Sequence, residues 1–217
     1  MDINTPEIYF KTFIKKAKFN FIPVINLKDN SVYGYKIIKD FEEAGYNDKN
    51  DVYEMAYDEG VLEFFLLKLQ ERVYQAAIDN GYGNAKLFHT LRINYLSDAE
   101  FFYSSVENLV DNFNLKKENL IFELKGANDW KNLDEFFKYM DDDCVIMFKE
   151  SKEYPLNKNM VQFLSPEFIE AMSLDSVKAL KSNENVSSKI IYKIPSDKEF
   201  SNEELLRLGV DFAYKIW

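Results

Sequence analysis

Short apolar runs alternate along the chain with longer stretches in which apolar residues recur every three or four positions. Residues 19–27 (FNFIPVINL) and 32–38 (VYGYKII) are strand-like runs joined by an Asp-Asn-Ser turn. Residues 51–79 carry apolar side chains at i, i+3 and i+4 without a proline, which predicts one long helix closed by the glycines of GYGN. AKLFHTLRI (85–93) predicts a strand, SDAEFFYSSVENLVDNF a helix opened by Ser97, and NLIFEL (119–124) a strand. WKNLDEFFKYM predicts a helix and CVIMF (144–148) a further strand. The stretch 149–159 (KESKEYPLNKN) predicts no helix, MVQFL predicts a sixth strand, and Ser165-Pro166 begin a helix with a cap followed by proline. SKIIYKI and VDFAYKIW complete the strands, and Ser201 with Glu204 between them fits a capping box.

Eight strands alternating with about five helices point to parallel β-α units. A compact (β/α) barrel fits that number, with an open doubly wound sheet as the competing arrangement.

Composition narrows the function classes. Seven glycines and five prolines among 217 residues are too few for long disordered linkers. No run reaches 18 apolar residues, and MDINTPEIYF lacks the basic-then-apolar pattern of a signal peptide, so a cytoplasmic location away from membranes is expected. A net charge of −10 argues against binding a nucleic-acid polymer or an anionic membrane. The basic stretch 10–19 (FKTFIKKAKF) reads as the solvated face of an N-terminal helix. With one cysteine and one histidine, disulfide frameworks, cysteine-rich zinc sites and Cys–His dyads within the chain are not expected. Cys144 lies in the apolar run CVIMF, as a buried, inert thiol would. His89 has no acidic or nucleophilic companion in sequence and reads as a packed strand residue, and Asp141-Asp142-Asp143 as a charged loop.

The order of motifs is more specific than any one of them. PVINLKDNSVYGYKII resembles the opening strand, turn and "GYEAL" signature of the EAL domain, the bacterial domain that hydrolyses cyclic di-GMP. EMAYDEGVLEFFLLKL resembles its first helix, LFHTL stands where the family has "LFVN", and NLIFELKG where it has "LVLEITE". DCVIMFK is similar to the strand leading to "DDFG", MVQFL to the "KID" strand, KIIYKIPS to "VIAEGVE", and LGVDFAYKIW to "LGVDYAQGYLF". The resemblance spans about residues 19–217, with 1–18 as an N-terminal helical extension. It implies an EAL-type, TIM-like (β/α)8 barrel whose first strand runs antiparallel, in keeping with the short connection at 28–31.

In the family, two divalent cations held by carboxylates and an amide at the strand ends activate water. Matched position by position, the signature glutamate becomes Lys36, the asparagine Thr90, and the "LEITE" glutamate is kept as Glu123. The aspartate pair of "DDFG" falls on Phe148 and Lys149, the "KID" lysine on Gln162, the "AEGVE" glutamate on Lys193 and the late glutamine on Tyr214. One carboxylate remains where lysines replace acids. Two unit charges about 4 Å apart interact by roughly 4 kcal/mol at an effective dielectric near 20, so a lysine in a metal ligand's place turns attraction into repulsion. The resemblance therefore implies a non-catalytic domain with neither metal nor cofactor, acting through an unidentified protein partner.

Metal-independent binding of cyclic di-GMP or a related nucleotide is the alternative reading, and an active cyclic di-GMP phosphodiesterase the third, which requires the match to fail at several strand ends. A phosphate-contacting arginine of the family falls on Asp40, a charge reversal, and only thirteen positions separate Lys149 from Gln162, leaving little room for the family's dimer-supporting helix. Both features predict weak or absent cyclic di-GMP binding. Against them, Lys36, Lys149 and Lys193 around Glu123, with Tyr214 as a stacking surface, are the ligand-binding candidates for a metal-free anion pocket. The plainer reading is that these lysines pair with Glu123 or extend to solvent.

Overall fold

A computed structural model describes residues 5–92, 98–125, 133–134, 137–139, 145–152, 155–156, 158–182 and 186–216. Eight strands follow one another around a closed barrel: β1 (Lys18–Asn26), β2 (Val32–Asp40), β3 (Leu87–Arg92), β4 (Leu120–Lys125), β5 (Val145–Lys149), β6 (Phe168–Ala171), β7 (Lys189–Ile194) and β8 (Phe212–Lys215). Strands β2 to β8 pair in parallel, while β1 pairs antiparallel with β8 through Ile25 opposite Ala213. The β1–β2 turn is built by local side-chain chemistry. Asp29 accepts from the Ser31 amide at 3.0 Å, and Asn30 takes the left-handed conformation at φ 59°. A connection this short reverses the chain, as an antiparallel first strand requires.

The chain divides into two compact units. The first comprises Met1–Phe21, Ile37–Asn84 and Tyr95–Lys116 and holds helices α1 (Thr5–Lys16), α2 (Lys49–Asp58), α3 (Leu62–Asp79) and α4 (Ala99–Asn112). Helix α3 packs against α1, α2 and α4, with Phe65 meeting the rings of Phe10 at 5.4 Å and Tyr53 at 5.7 Å. The single helix expected over 51–79 is two. Gly60 adopts φ 67°, and the Val61 amide returns to the Ala56 carbonyl, a left-handed cap that periodicity cannot register. Asp98 caps α4 by accepting from the Phe101 amide at 2.8 Å, where the sequence suggested Ser97.

The second unit comprises Ile22–Lys36, Ala85–Asn94 and Lys117–Trp217. It contains the barrel interior and helices α5 (Lys158–Leu164), α6 (Leu174–Lys181) and α7 (Asn202–Arg207). The capping box on α7 is formed as expected, Ser201 and Glu204 each bonding the other's backbone amide. One region is exchanged relative to expectation. MVQFL lies in α5, where Gln162 and Phe163 are exposed, and the helix expected from Ser165 gives way to β6, whose four residues are all buried. Helix α5 thus lies between β5 and β6, where the sequence predicts a short connection without a helix.

Cys144, Asp141-Asp142-Asp143, Ser97 and most of the helix expected over 130–140 lie outside the described residues. Among the described residues no helix is long and apolar enough to cross a membrane.

Candidate functional site

The site follows from the two-residue period of the strands. Phe88, Ile121, Met147, Phe168, Ile191 and Phe212 form a buried layer inside the barrel with Val24. Two residues further along each of those parallel strands, on the same inward face, stand Thr90, Glu123, Lys149, Glu170, Lys193 and Tyr214. Lys36 joins this layer from β2. The apolar layer closes the barrel beneath, and the polar layer lies toward the C-terminal ends of the strands, where barrel proteins carry their sites.

Four of these side chains form a closed ring of alternating charge. Lys36 Nζ contacts Glu123 Oε2 at 2.6 Å and also pairs with Glu170 Oε2. Lys149 Nζ lies 3.2 Å from Glu123 Oε1 and 2.8 Å from Glu170 Oε1. Each ammonium bridges both carboxylates, and each carboxylate bridges both ammonium groups. Thr90 donates to Glu123 Oε1 at 3.2 Å, and Tyr214 donates to Glu170 Oε1 at 3.0 Å. Lys36 Nζ also sits 4.7 Å from the centre of the Tyr214 ring, within cation–π range. The contact from Lys36 to Glu123 Oε2 is an ion pair without hydrogen-bond geometry.

Exposure separates the four members. The side chains of Lys36, Glu123 and Glu170 are 3%, 2% and 6% exposed, whereas that of Lys149 is 28% exposed. Burial alone would drive all four toward their neutral forms. For Glu123 it pushes the pKa up, but Lys149 and Lys36 more than offset it and hold the carboxyl well below its usual range. Glu170 is lowered in the same way, burial being outweighed by Lys36 and Lys149. Burial pulls Lys36 and Lys149 down, and the two glutamates reverse that and raise both. Every member is therefore charged at neutral pH, and the ring is neutral as a whole.

The sequence-derived positions separate accordingly. Lys36, Thr90, Glu123, Lys149 and Tyr214 come together. Phe148 is buried on the opposite face of β5 from Lys149, and Lys193 reaches the mouth on β7 but is exposed and outside the ring. Gln162 is an exposed helical residue, so the sixth strand's inward position belongs to Glu170 instead. Sequence reasoning missed Glu170. Its signal was a lone acid two residues after Phe168 in an otherwise apolar four-residue run. Asp40, at the end of β2, accepts from the Glu42 amide at 2.8 Å.

Two divalent cations, as the EAL resemblance implies, do not fit this donor set. The carboxylate oxygens of Glu123 and Glu170 already face two ammonium groups, and a divalent ion beside them would meet like charge in a buried setting. Among the described residues, no group of three or more His, Cys, Asp or Glu is placed to hold a metal ion.

Solved structures similar in fold to this chain include EAL domains. The Xanthomonas citri FimX EAL domain in complex with c-diGMP superposes with a TM-score of 0.68 at 11% identity, covering 98% of this chain and 94% of that one. A standalone EAL protein from Vibrio cholerae O395, in its c-di-GMP bound form, gives 0.68 at 12% identity, covering 92% and 89%. An EAL domain protein from Listeria monocytogenes EGD-e gives 0.65 at 14% identity, covering 99% and 92%. No protein-family model and no curated protein matches the sequence.

Proposed function

We propose that this chain is a non-hydrolytic EAL-fold module of cyclic di-GMP-related signalling that works by contacting other proteins. The observation carrying this reading is the Lys36–Glu123–Lys149–Glu170 ring, which fills the barrel mouth with paired charges. Metal-assisted phosphodiester hydrolysis needs oxygen ligands free to hold cations and activate water. Here the two carboxylates are committed to lysines of the same chain.

The signalling context is supported by similar EAL structures that carry c-di-GMP. Without hydrolysis, the output that remains is a change in what the surface contacts. Metal-independent binding of cyclic di-GMP or a related nucleotide is the second reading, favoured by the partial exposure of Lys149 and the exposure of Lys193 at the same mouth.

Calorimetric titration with cyclic di-GMP, in magnesium and then in chelator, tests both readings alongside product analysis. The first reading expects no linear dinucleotide and no heat at high micromolar ligand. Heat that survives chelation and shrinks in Lys149→Ala selects the second. Release of linear dinucleotide at a steady rate overturns both.

A further inference from the structure

Glu123 and Glu170 stand on β4 and β6, with β5 between them, yet their oxygens converge as two facing pairs. The Oε2 pair meets Lys36 Nζ, and the Oε1 pair meets Lys149 Nζ. Two carboxylates bridged by two cations is the arrangement that small positive ions impose on acidic side chains. Here the ions are tethered. Lys36 enters from β2 and Lys149 from β5, so each nitrogen arrives on its own side chain and no ion need be drawn from solution.

Burial makes the positive charge obligatory. Two carboxylates in a nearly solvent-free layer repel each other and lose their hydration, so they stay ionised only with cations at contact distance. Thr90 and Tyr214 donate single hydrogen bonds to the Oε1 atoms, too little to neutralise either acid. The Tyr214 ring lies beside Lys36 Nζ, so an aromatic face together with two carboxylates surrounds one ammonium group. Aromatic face and carboxylates together are a recognition set for a primary ammonium ion.

We propose that Glu123, Glu170 and Tyr214 form a cation-binding site for a primary ammonium group, which the chain fills with its own Lys36, Lys149 supplying the second charge. The site persists when the lysine is shortened. It would then accept a small alkylammonium ion from solution. The inference deepens the reading above and rests on it for the ring's place in the mouth, but its test uses no nucleotide, so the two can fail separately.

The test is chemical rescue. Lys36→Ala removes the equivalent of n-propylammonium from the layer, and its melting temperature is expected to fall on the order of 10 °C. Adding n-propylammonium chloride should raise that temperature saturably, by at least half the loss, relative to sodium chloride at equal ionic strength. Wild type should not respond, because its site is full. Lys36→Ala/Glu170→Gln should not respond either, because half of the site is gone. Equal shifts in wild type and Lys36→Ala, or none in both, overturn the proposal. If Lys36→Ala does not fold in plain buffer, refolding yield becomes the readout. Recovery in propylammonium but not in sodium chloride supports the site, and no gain in either overturns it.

Discussion

The Tyr214 hydroxyl donates to Glu170 Oε1 at 3.0 Å while its ring lies 4.7 Å from Lys36 Nζ, so one residue of β8 serves both signs of charge. Burial, followed by the negative charge of Glu170, raises the phenol well above its ordinary pKa and keeps the donor proton in place. Tyr214→Phe keeps the ring and removes only the donor. It should lower stability by about 1.5–3 kcal/mol, the range for a hydrogen bond to a charged group. Tyr214→Leu should cost a further 0.5–2 kcal/mol, approximately the cation–π share. Urea denaturation of the three proteins measures both steps, and equal stabilities for Phe and Leu would remove the cation–π contact from the account.

The ring predicts strong coupling between its members. Lys36→Met leaves two buried carboxylates facing one ammonium and should cost about 3–5 kcal/mol. Glu170→Gln, made in that background, removes the surplus negative charge and should cost much less than it does in wild type. A double-mutant cycle is expected to return a coupling of more than about 1 kcal/mol. Additivity within roughly 0.5 kcal/mol would mean that the four charges do not act as a unit.

Stability should be flat across a wide range of pH and fall at both extremes. Glu123 and Glu170 titrate below their ordinary 4.5 in the folded chain, so the unfolded chain binds protons first. Their contribution is complete above about pH 4.5 and is lost as pH falls through the folded values. Lys36 and Lys149 titrate above their ordinary 10.5, so their contribution is complete below about 10.5 and fades as pH rises through the folded values. Urea midpoints between pH 3 and pH 7 test the acid limb. Glu170→Gln should show a shallower decline there than wild type, and parallel curves would contradict the assignment.

Much of this was legible in the chain because strands and charges leave local marks. NLIFEL and VIMFK place Glu123 and Lys149 two residues beyond a core side chain, and an alternating pattern reports that directly. Lys36 was visible as a charge inside an apolar run. What the sequence concealed was β6. FIEA follows Ser165-Pro166-Glu167 and runs through Ala171 into Met172, a context of a cap and good helix formers, so local propensity favoured a helix. The barrel requires a strand there, with Phe168 and Glu170 facing inward and Ile169 outward, and closure overrides propensity. The same exchange moved Gln162 out of the site. Four lysine and glutamate positions therefore came together only in three dimensions, since the partner of Lys36 lies 134 residues away.

Gly34, two residues before Lys36 on β2, offers a test of how closely the ring depends on strand position. A Cβ there would meet the Lys86 carbonyl oxygen at 2.6 Å and Lys86 Cβ at 2.8 Å, beside the ladder in which the Tyr35 amide donates to that same oxygen. Gly34→Ala must therefore push β2 from its neighbour and should cost about 1–3 kcal/mol by overpacking. Gly60→Ala is the contrasting case, with open space around its Cβ but φ at 67°, and should cost about 1 kcal/mol through backbone conformation alone. If β2 carries Lys36 away from Glu123 and Glu170 as it shifts, Lys36→Met will cost less in the Gly34→Ala background than in wild type. In the Gly60→Ala background its cost should be unchanged. Denaturation of the two double variants separates a ring held by strand register from one that simply follows its charges.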